Sequence, residues 1–167
     1  MNKQRKQFLE QPAKGYPIWG GIDFVSVDVG VRHDTYLHNG YRYVTKGEMI
    51  TAQLLDAQGI AYTPDVSICM RKHTVSDSGR HKYKSVIYIP DFIFNRDSYI
   101  WTEPSGDEYI IYGIECKASS SGISDKVRLL FKRRNIRVIV LGEKEIIDYQ
   151  NKGGFPLKLL HRTGRRT

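Results

Sequence analysis

Two short motifs combine residue types that can carry out metal-assisted hydrolysis. Asp91 follows Pro90, and further along the chain Glu115 and Lys117 flank a single residue. On a β-strand, residues two apart face the same side, so Glu115 and Lys117 should point together. Carboxylate oxygens are preferred ligands of Mg²⁺, and a lysine can orient a water molecule and stabilise charge on a phosphate. Two carboxylates and one lysine at one place could therefore support hydrolysis of a phosphate ester.

Each motif also has an ordinary structural explanation. A Pro-Asp pair is common in turns, and a glutamate near a lysine can form a plain salt bridge. The informative feature is the combination of both motifs on neighbouring strands. We interpret residues 85–94 and 109–118 as partner strands of a hairpin with a turn at 103–107. This pairing would bring Asp91 to the face that carries Glu115 and Lys117.

A predicted helix supplies a third candidate carboxylate, Glu48. Thr45 is a suitable N-cap, Glu48 follows three residues later as in a capping box, and Gly59 is a natural C-terminal stop. The predicted apolar face of this helix consists of Met49, Ala52, Leu54 and Leu55. The capping box accounts for Glu48 without any metal, whereas a helix packed beside the two motifs would make it a metal ligand. Both interpretations remain open from the sequence.

The other predicted elements indicate a mixed α/β fold. Residues 22–29 alternate apolar and polar as in a half-buried strand, and Asn39-Gly40 is typical of a hairpin turn. Residues 136–141 form an apolar run expected of a buried strand, and a short helix is predicted at 143–150. We therefore expect an α/β single domain with a central mixed β-sheet flanked by helices.

We divide the chain into three parts. Residues 1–44 are an N-terminal extension with a predicted hairpin, and this extension could serve as a dimer interface or a DNA arm. Residues 45–150 are the core that carries both motifs, and residues 151–167 are a basic C-terminal tail. A basic helix at about 124–134 follows the second motif.

The charge balance favours a polyanionic partner. The 167 residues carry a formal net charge of +8, and lysines and arginines release counterions when they meet phosphates. We interpret residues 71–84 as a long basic hairpin loop, in which His73 and His81 could contact phosphate. The candidate nucleic-acid contacts in this loop and in the basic helix are Lys72, Arg80, Lys82, Lys84, Lys126, Lys132, Arg133 and Arg134.

The sequence gives no sign of a membrane or zinc protein. We find neither a run of apolar residues long enough to span a bilayer nor a signal peptide, so we expect a cytoplasmic protein. Cys69 and Cys116 lack the spacing of a zinc site. Cys116 should face away from Glu115 and Lys117, as a small core residue.

The motif residues Pro90, Asp91, Glu115 and Lys117 resemble those of the PD-(D/E)XK nuclease superfamily, in which Pro-Asp on one strand is followed by Asp/Glu-x-Lys on the next. The resemblance covers residues 45–150 and implies a restriction-endonuclease-like core and a Mg²⁺-dependent endodeoxyribonuclease in which Mn²⁺ can substitute. It also implies that Asp91 and Glu115 bind the metal, with the carbonyl of Cys116 as a further ligand. Lys117 would serve the attacking water. Thr45 and Glu48 resemble a Ser/Thr-x-x-Glu pattern found in some members.

The small size of the chain is similar to that of phage Holliday-junction resolvases and transposon cleavage subunits. That resemblance implies a branched or junction DNA substrate, a homodimer and a bacterial cytosol. The small size favours a phage or mobile-element origin, whereas the residues are equally compatible with a cellular and a viral one. Two alternatives are a restriction-type or nicking endonuclease acting on duplex DNA, and a non-catalytic DNA-binding protein with a nuclease fold. The residues do not separate DNA from RNA, nor one metal ion from two.

Overall fold

The computed structural model of the chain describes residues 23–25, 36–95, 98–117, 127–128, 131 and 136–160. Of the predicted N-terminal strand 22–29, only residues 23–25 fall within this set, and they form a strand. Of the predicted basic helix, residues 127, 128 and 131 are described, and they are helical. The candidate phosphate contacts Lys126, Lys132, Arg133 and Arg134 lie outside the described residues.

Twelve strands and two helices have defined bounds within the described residues. They are β1 (Asp23–Val25), β2 (Leu37–His38), β3 (Tyr41–Arg42), α1 (Lys46–Ala57), β4 (Tyr62–Pro64), β5 (Ser67–Val75), β6 (His81–Tyr88), β7 (Phe92–Phe94), β8 (Tyr99–Thr102), β9 (Glu108–Ile111), β10 (Gly113–Lys117), β11 (Val138–Gly142), α2 (Glu143–Asn151) and β12 (Leu157–Leu159). The fold is therefore mixed α/β. No described helix combines the length and the apolar composition needed to cross a membrane.

The strands form several sheets, and one four-stranded sheet carries both motifs. Its order is β11-β10-β7-β4, in which β10 runs parallel to β11 and antiparallel to β7. Two three-stranded sheets, β1-β5-β6 and β12-β8-β9, and the β2-β3 hairpin complete the described strands. Helix α1 packs against both α2 and β10. The fully buried side chains Leu55, Phe92, Ile114 and Ile146 belong to the core between these layers.

The predicted helix start and stop are confirmed in α1. The Thr45 side chain accepts a hydrogen bond from the Glu48 backbone N–H, and the Glu48 carboxylate accepts one from the Thr45 backbone N–H. Gly59, at φ +70°, follows the C-cap in the left-handed conformation that glycine adopts most easily. The predicted apolar face is mostly right, although Ile50 is buried whereas Met49 is only partly buried.

The Asn39-Gly40 turn is also confirmed. Both residues have positive φ, 48° and 75°, and they connect β2 to β3, whose residues pair antiparallel. Positive φ at both central positions suits the right-handed twist of the strands they join.

The two predicted motif strands are wrong as continuous elements. Residues 85–94 divide into the end of β6 and all of β7, and these two strands belong to different sheets. Pro90 lies in the break, because proline has no N–H to continue a strand ladder. Residues 109–117, the described part of the second predicted strand, divide at Tyr112 into β9 and β10.

The pairing of the motif strands also differs from the prediction. The predicted turn at 103–107 is present, with the Glu103 N–H donating to the Asp107 carbonyl at 2.8 Å. It connects β8 to β9, however, and not the Pro-Asp strand to the Glu-x-Lys strand. Those two strands still become neighbours, as β7 and β10. A Cβ on Gly113 would lie 2.3 Å from the Phe92 carbonyl oxygen, so this close approach requires glycine.

The prediction of a long basic loop at 71–84 is wrong as well. Strands β5 and β6 pair continuously through this region, from Ile68 opposite Tyr88 to Val75 opposite His81. Only residues 76–80 form a turn, in which Gly79 has φ +79°. Strand pairing satisfies the backbone polar groups that a loop of this length would leave to water.

Candidate active site

Asp91 lies directly opposite the Glu-x-Lys motif. In the β7–β10 ladder Ile93 pairs with Gly113 and Phe92 pairs with Ile114, so one further step brings Asp91 level with Glu115. The Asp91 carboxylate accepts a hydrogen bond of 2.7 Å from the backbone N–H of Cys116. The structure therefore brings the two motifs together at the end of this ladder.

Glu48 reaches the same place from the first turn of α1. Its side chain is 7% exposed, and its Oε2 accepts a 2.7 Å hydrogen bond from the Thr45 backbone N–H. Carboxylate oxygens of Glu48, Asp65 and Asp91 all lie within 4.8 Å of one another. Glu48 thus completes the capping box and also belongs to a cluster of acidic groups, so the two interpretations of this residue are compatible.

Asp65 is a member of this cluster that sequence reasoning missed. It is 6% exposed, its backbone N–H donates to the Asp91 carbonyl at 3.1 Å, and its Oδ2 accepts a 2.5 Å hydrogen bond from the Tyr41 hydroxyl. Its φ of 53° is unusual for a residue other than glycine. The available signal was a second Pro-Asp pair, Pro64-Asp65, which matches the one at Asp91.

Glu115 and Lys117 lie next to the cluster of Glu48, Asp65 and Asp91. Both are half-buried on β10, and Glu115 is not one of the three residues in the tight cluster. The Tyr88 hydroxyl donates a hydrogen bond to Glu115 Oε2. Tyr88 is buried at the end of β6, so the sheet that contains β5 and β6 also helps to fix the position of Glu115.

Burial is the main cause of a raised pKa at Asp91. The negative charges of Glu48 and Glu115 raise the pKa further, as does a hydrogen bond with the Glu48 side chain. The Cys116 N–H opposes this shift because it stabilises the carboxylate. Asp91 thus favours a bound proton, or another positive charge in its place.

The pKa of Glu115 is also raised, again chiefly by burial. The hydrogen bond from Tyr88 and the positive charge of Lys117 lower it, whereas the negative charges of Glu48 and Asp65 raise it. The pKa of Glu115 therefore depends on the charges of Glu48, Asp65 and Lys117 as well as on burial.

All four carboxylates have one oxygen held by a donor elsewhere in the protein. The pairs are Thr45 N–H with Glu48, Tyr41 hydroxyl with Asp65, Cys116 N–H with Asp91, and Tyr88 hydroxyl with Glu115. Outer hydrogen bonds of this kind orient carboxylate ligands in metal sites.

The donor set fits a hard divalent cation. Three oxygen donors lie close enough to share one ion. Burial, together with the negative charges of Glu48 and Glu115, raises the pKa of Asp91, and a cation would offset both effects. Carboxylate oxygens without nitrogen or thiolate partners match Mg²⁺ and Mn²⁺ better than zinc. The residues that would hold the ion are Glu48, Asp65 and Asp91, with Glu115 at the margin.

Cys116 contributes its backbone to the site and its side chain to the packing. Its sulfur lies 3.4 Å from Thr51 Oγ1 on α1, and burial raises the pKa of the thiol well above its usual range. Burial therefore disfavours the thiolate form that a nucleophilic cysteine needs. Coordination by its carbonyl stays a prediction.

The basic candidates within the described residues lie away from this cluster. Lys72, Lys82 and Lys84 are exposed on β5 and β6, and Arg80 is exposed at the turn between them. Lys117 lies two residues after Glu115 on β10, and its positive charge acts on the Glu115 carboxylate.

The resemblance to PD-(D/E)XK nucleases depends on Pro90, Asp91, Glu115 and Lys117, together with Glu48. Comparison of the chain with known proteins adds nothing to it: no protein-family model, no curated protein and no solved structure matches this chain.

Proposed function

We propose that this protein is a metal-dependent endonuclease that hydrolyses phosphodiester bonds in DNA. One observation carries the proposal: Asp91 is hydrogen-bonded to the backbone between Glu115 and Lys117, and Glu48 and Asp65 converge on the same carboxylate. Two buried carboxylates and one half-buried carboxylate that share one place favour a cation as their partner. The positive remainder of the chain suits a polyanionic substrate.

The carboxylates would hold Mg²⁺ or Mn²⁺ through Glu48, Asp65 and Asp91. A divalent cation bound there supplies a Lewis acid for the phosphate and lowers the pKa of its water. The protein donors on Glu48, Asp65 and Asp91 keep the oxygens in place before the substrate arrives, so little reorganisation is needed during the reaction.

Lys117 is the positively charged side chain that the protein contributes to the site in addition to the cation. Its ammonium group lies on the Glu115 face of β10, where it can donate hydrogen bonds to the attacking water and to a phosphate oxygen. Glu115, held by Tyr88, attracts that ammonium group and limits the positions it can take. This set of roles matches the one that the PD-(D/E)XK resemblance implies.

The surrounding sheet is also compatible with that resemblance. Strands β11, β10, β7 and β4 would correspond to the central sheet of a restriction-endonuclease-like core, with α1 packed against it. The resemblance further implies a homodimer that makes two cuts, and a junction DNA substrate. A duplex-cutting or nicking enzyme is the alternative that uses the same residues.

Cleavage of a substrate panel tests the proposal. The panel contains a four-way junction, linear duplex, supercoiled plasmid and single-stranded DNA, each with Mg²⁺, Mn²⁺ or EDTA. We expect metal-dependent cutting that Lys117→Ala reduces by about 100-fold or more while DNA binding survives. Lys144→Ala, at an exposed position on α2, is the matched control.

The outcomes separate the alternatives. Preferential cleavage of the four-way junction supports a resolvase-like enzyme, whereas cleavage of linear duplex supports a restriction-type or nicking enzyme. DNA binding without cutting in either metal would overturn the nuclease proposal in favour of a non-catalytic DNA-binding protein. Equal cutting by Lys117→Ala would exclude Lys117 from the reaction and overturn the assignment of the active site.

A further inference from the structure

The segment at 71–84 forms a two-stranded ribbon that is strongly basic. Beyond Cys69, where its pairing with β1 ends, β5 has β6 as its partner among the described strands. Nearly every residue of the ribbon is exposed. It contains five lysines and arginines and a single acidic residue, Asp77.

One face of the ribbon carries only lysines and a threonine. Alternation along the strands places Lys72, Lys82 and Lys84 on the same face, with Lys72 directly opposite Lys84 and Thr74 opposite Lys82. Like charges in directly opposed positions destabilise an antiparallel pair. The lysines of this face therefore repel one another, and a bound polyanion would offset this repulsion by attracting each of them.

The opposite face carries the aromatic and imidazole rings. His73 stacks on Tyr83 at 4.7 Å and lies parallel to His81 at 5.0 Å, and the guanidinium of Arg71 lies 5.8 Å from the Tyr83 ring centre. These rings contact one another within the ribbon. The lysine face has no ring with which to stack an unpaired base, and such rings are typical of single-strand binding sites.

The lysine face leads to the candidate active site along β6. Lys82 and Lys84 share their side of the strand with Tyr88, which donates to Glu115. At about 3.4 Å per residue, Lys84 and Lys82 lie roughly 14 and 20 Å along the strand from Tyr88. Duplex DNA rises about 3.4 Å per base pair, so these distances correspond to about four to six base pairs.

We propose that Lys72, Lys82 and Lys84 form a phosphate-binding face for duplex DNA, which holds the duplex about four to six base pairs from the phosphate at the active site. The binding surface follows from the lysines and their register. The distance to the cut rests on the proposed nuclease function. Arg80, at the turn beyond His81, lies at the far end of this surface.

Binding of duplex DNA in EDTA tests the surface without any cleavage. The variant Lys72→Ala/Lys82→Ala/Lys84→Ala is compared with Lys144→Ala/Lys152→Ala/Lys158→Ala, which removes the same charge from α2 and from the segment that follows it. We expect the first variant to reduce the salt dependence of duplex binding by about 2.7 in the slope of log affinity against log salt, since each phosphate contact contributes about 0.9. The control variant should change this slope by less than about one such contact.

Three results would contradict the proposal that the lysine face binds duplex DNA. An equal decrease of the salt dependence in the two variants would mean that net charge alone controls DNA binding. Unchanged binding by the ribbon variant would mean that these lysines prevent strand pairing between molecules, as edge-strand lysines can. An equal or larger loss with single-stranded DNA of the same sequence would assign the face to unpaired strands. Circular dichroism and gel filtration confirm that both variants remain folded.

Cleavage of shortened duplexes tests the distance. Duplexes that end fewer than about six base pairs to one side of the cut should be cut more slowly than longer ones by the unmodified protein, but at the same rate as longer ones by the ribbon variant. A length effect that persists in the ribbon variant would overturn the assigned distance. If no duplex is cut in any metal, the assigned distance fails, the substrate panel that includes the junction decides the nuclease proposal, and the binding result still decides the surface.

Discussion

The Asp91 carboxylate accepts a 2.7 Å hydrogen bond from the backbone N–H of Cys116, and this contact connects two motifs that are distant in the sequence. It places the aspartate beside Glu115 and Lys117 without using the Cys116 side chain, which packs on α1 instead. The backbone of β10 therefore positions one acid while its side chains supply the other acid and the lysine.

Replacing Asp91 with asparagine should abolish most cleavage without unfolding the protein. Asparagine keeps the oxygen that accepts the Cys116 N–H but loses the negative charge that a cation requires. We expect cleavage to fall by about 100-fold or more, with DNA binding retained. Cleavage assays with Asp91→Asn and with the exposed control Asp148→Asn measure this. Comparable activity of the two variants would exclude Asp91 from the reaction.

Divalent cations should stabilise the fold, and more so at neutral than at acidic pH. The folded-state pKa values of Asp91 and Glu115 are raised, so the native state binds more protons than the unfolded state above the ordinary carboxyl range. Their contribution to stability is therefore present at low pH and is lost as pH rises through the folded pKa values. A cation offsets this loss, but protons compete with it at acidic pH.

Thermal unfolding with and without Mg²⁺ or Mn²⁺ measures that effect. At a cation concentration ten times Kd, binding adds about 1.4 kcal/mol to the free energy of unfolding. For a chain of this size the midpoint should rise by about 3–6 °C. Asp91→Asn should raise the midpoint without cation at neutral pH and remove most of the response to cation. An equal response in the variant would place the cation elsewhere.

Removing the Tyr88 hydroxyl should disturb Glu115 while leaving the fold intact. Tyr88→Phe keeps the buried ring but loses the donor that lowers the pKa of Glu115. We expect about 10- to 100-fold lower activity, the loss that is typical of removing an outer hydrogen bond in a metal site. The acidic limb of the pH–activity profile should move to higher pH, since the pKa of Glu115 rises. Tyr149→Phe, on α2, should leave both measurements unchanged.

A side chain at Gly113 should force β7 and β10 apart. A Cβ there would lie 2.3 Å from the Phe92 carbonyl oxygen, a backbone atom that cannot move alone. We expect Gly113→Ala to destabilise the protein by about 1–3 kcal/mol, measured by denaturant unfolding, and to lower cleavage because the Asp91–Cys116 contact depends on this pairing. Gly47→Ala is the control, because its Cβ would lie 3.4 Å from the nearest atom, an ordinary contact with the Ile146 side chain. Equal stability of the two variants would contradict the close approach.

Elements fixed by contacts a few residues apart were predicted correctly from the sequence. Thr45, Glu48 and Gly59 define the ends of α1 through hydrogen bonds and backbone conformations within one turn. Asn39 and Gly40 define their hairpin in the same local way. The short helix predicted at 143–150 agrees with α2 to within one residue, and the strand predicted at 136–141 contains most of β11.

Features that depend on partners far along the chain were predicted less well. The basic segment 71–84 is polar enough for a loop, and only its pairing makes it a ribbon. The apolar pattern of 85–94 continues through Pro90, but the chain there moves from one sheet to another. The alternation of apolar and polar residues predicts which side of a strand is buried, but it does not predict which sheet the strand joins.

The sequence by itself determined the residue types at Asp91, Glu115 and Lys117 and the common face of the last two, because the two-residue period of a strand is a local property. The tertiary structure decided that Asp91 lies against Cys116, that Glu48 serves both a helix cap and an acidic cluster, and that Asp65 joins them. These relationships arise from the register of β7 against β10 and from the packing of α1 on that sheet. Such contacts are set by burying the whole core at once, and no short stretch of sequence encodes them.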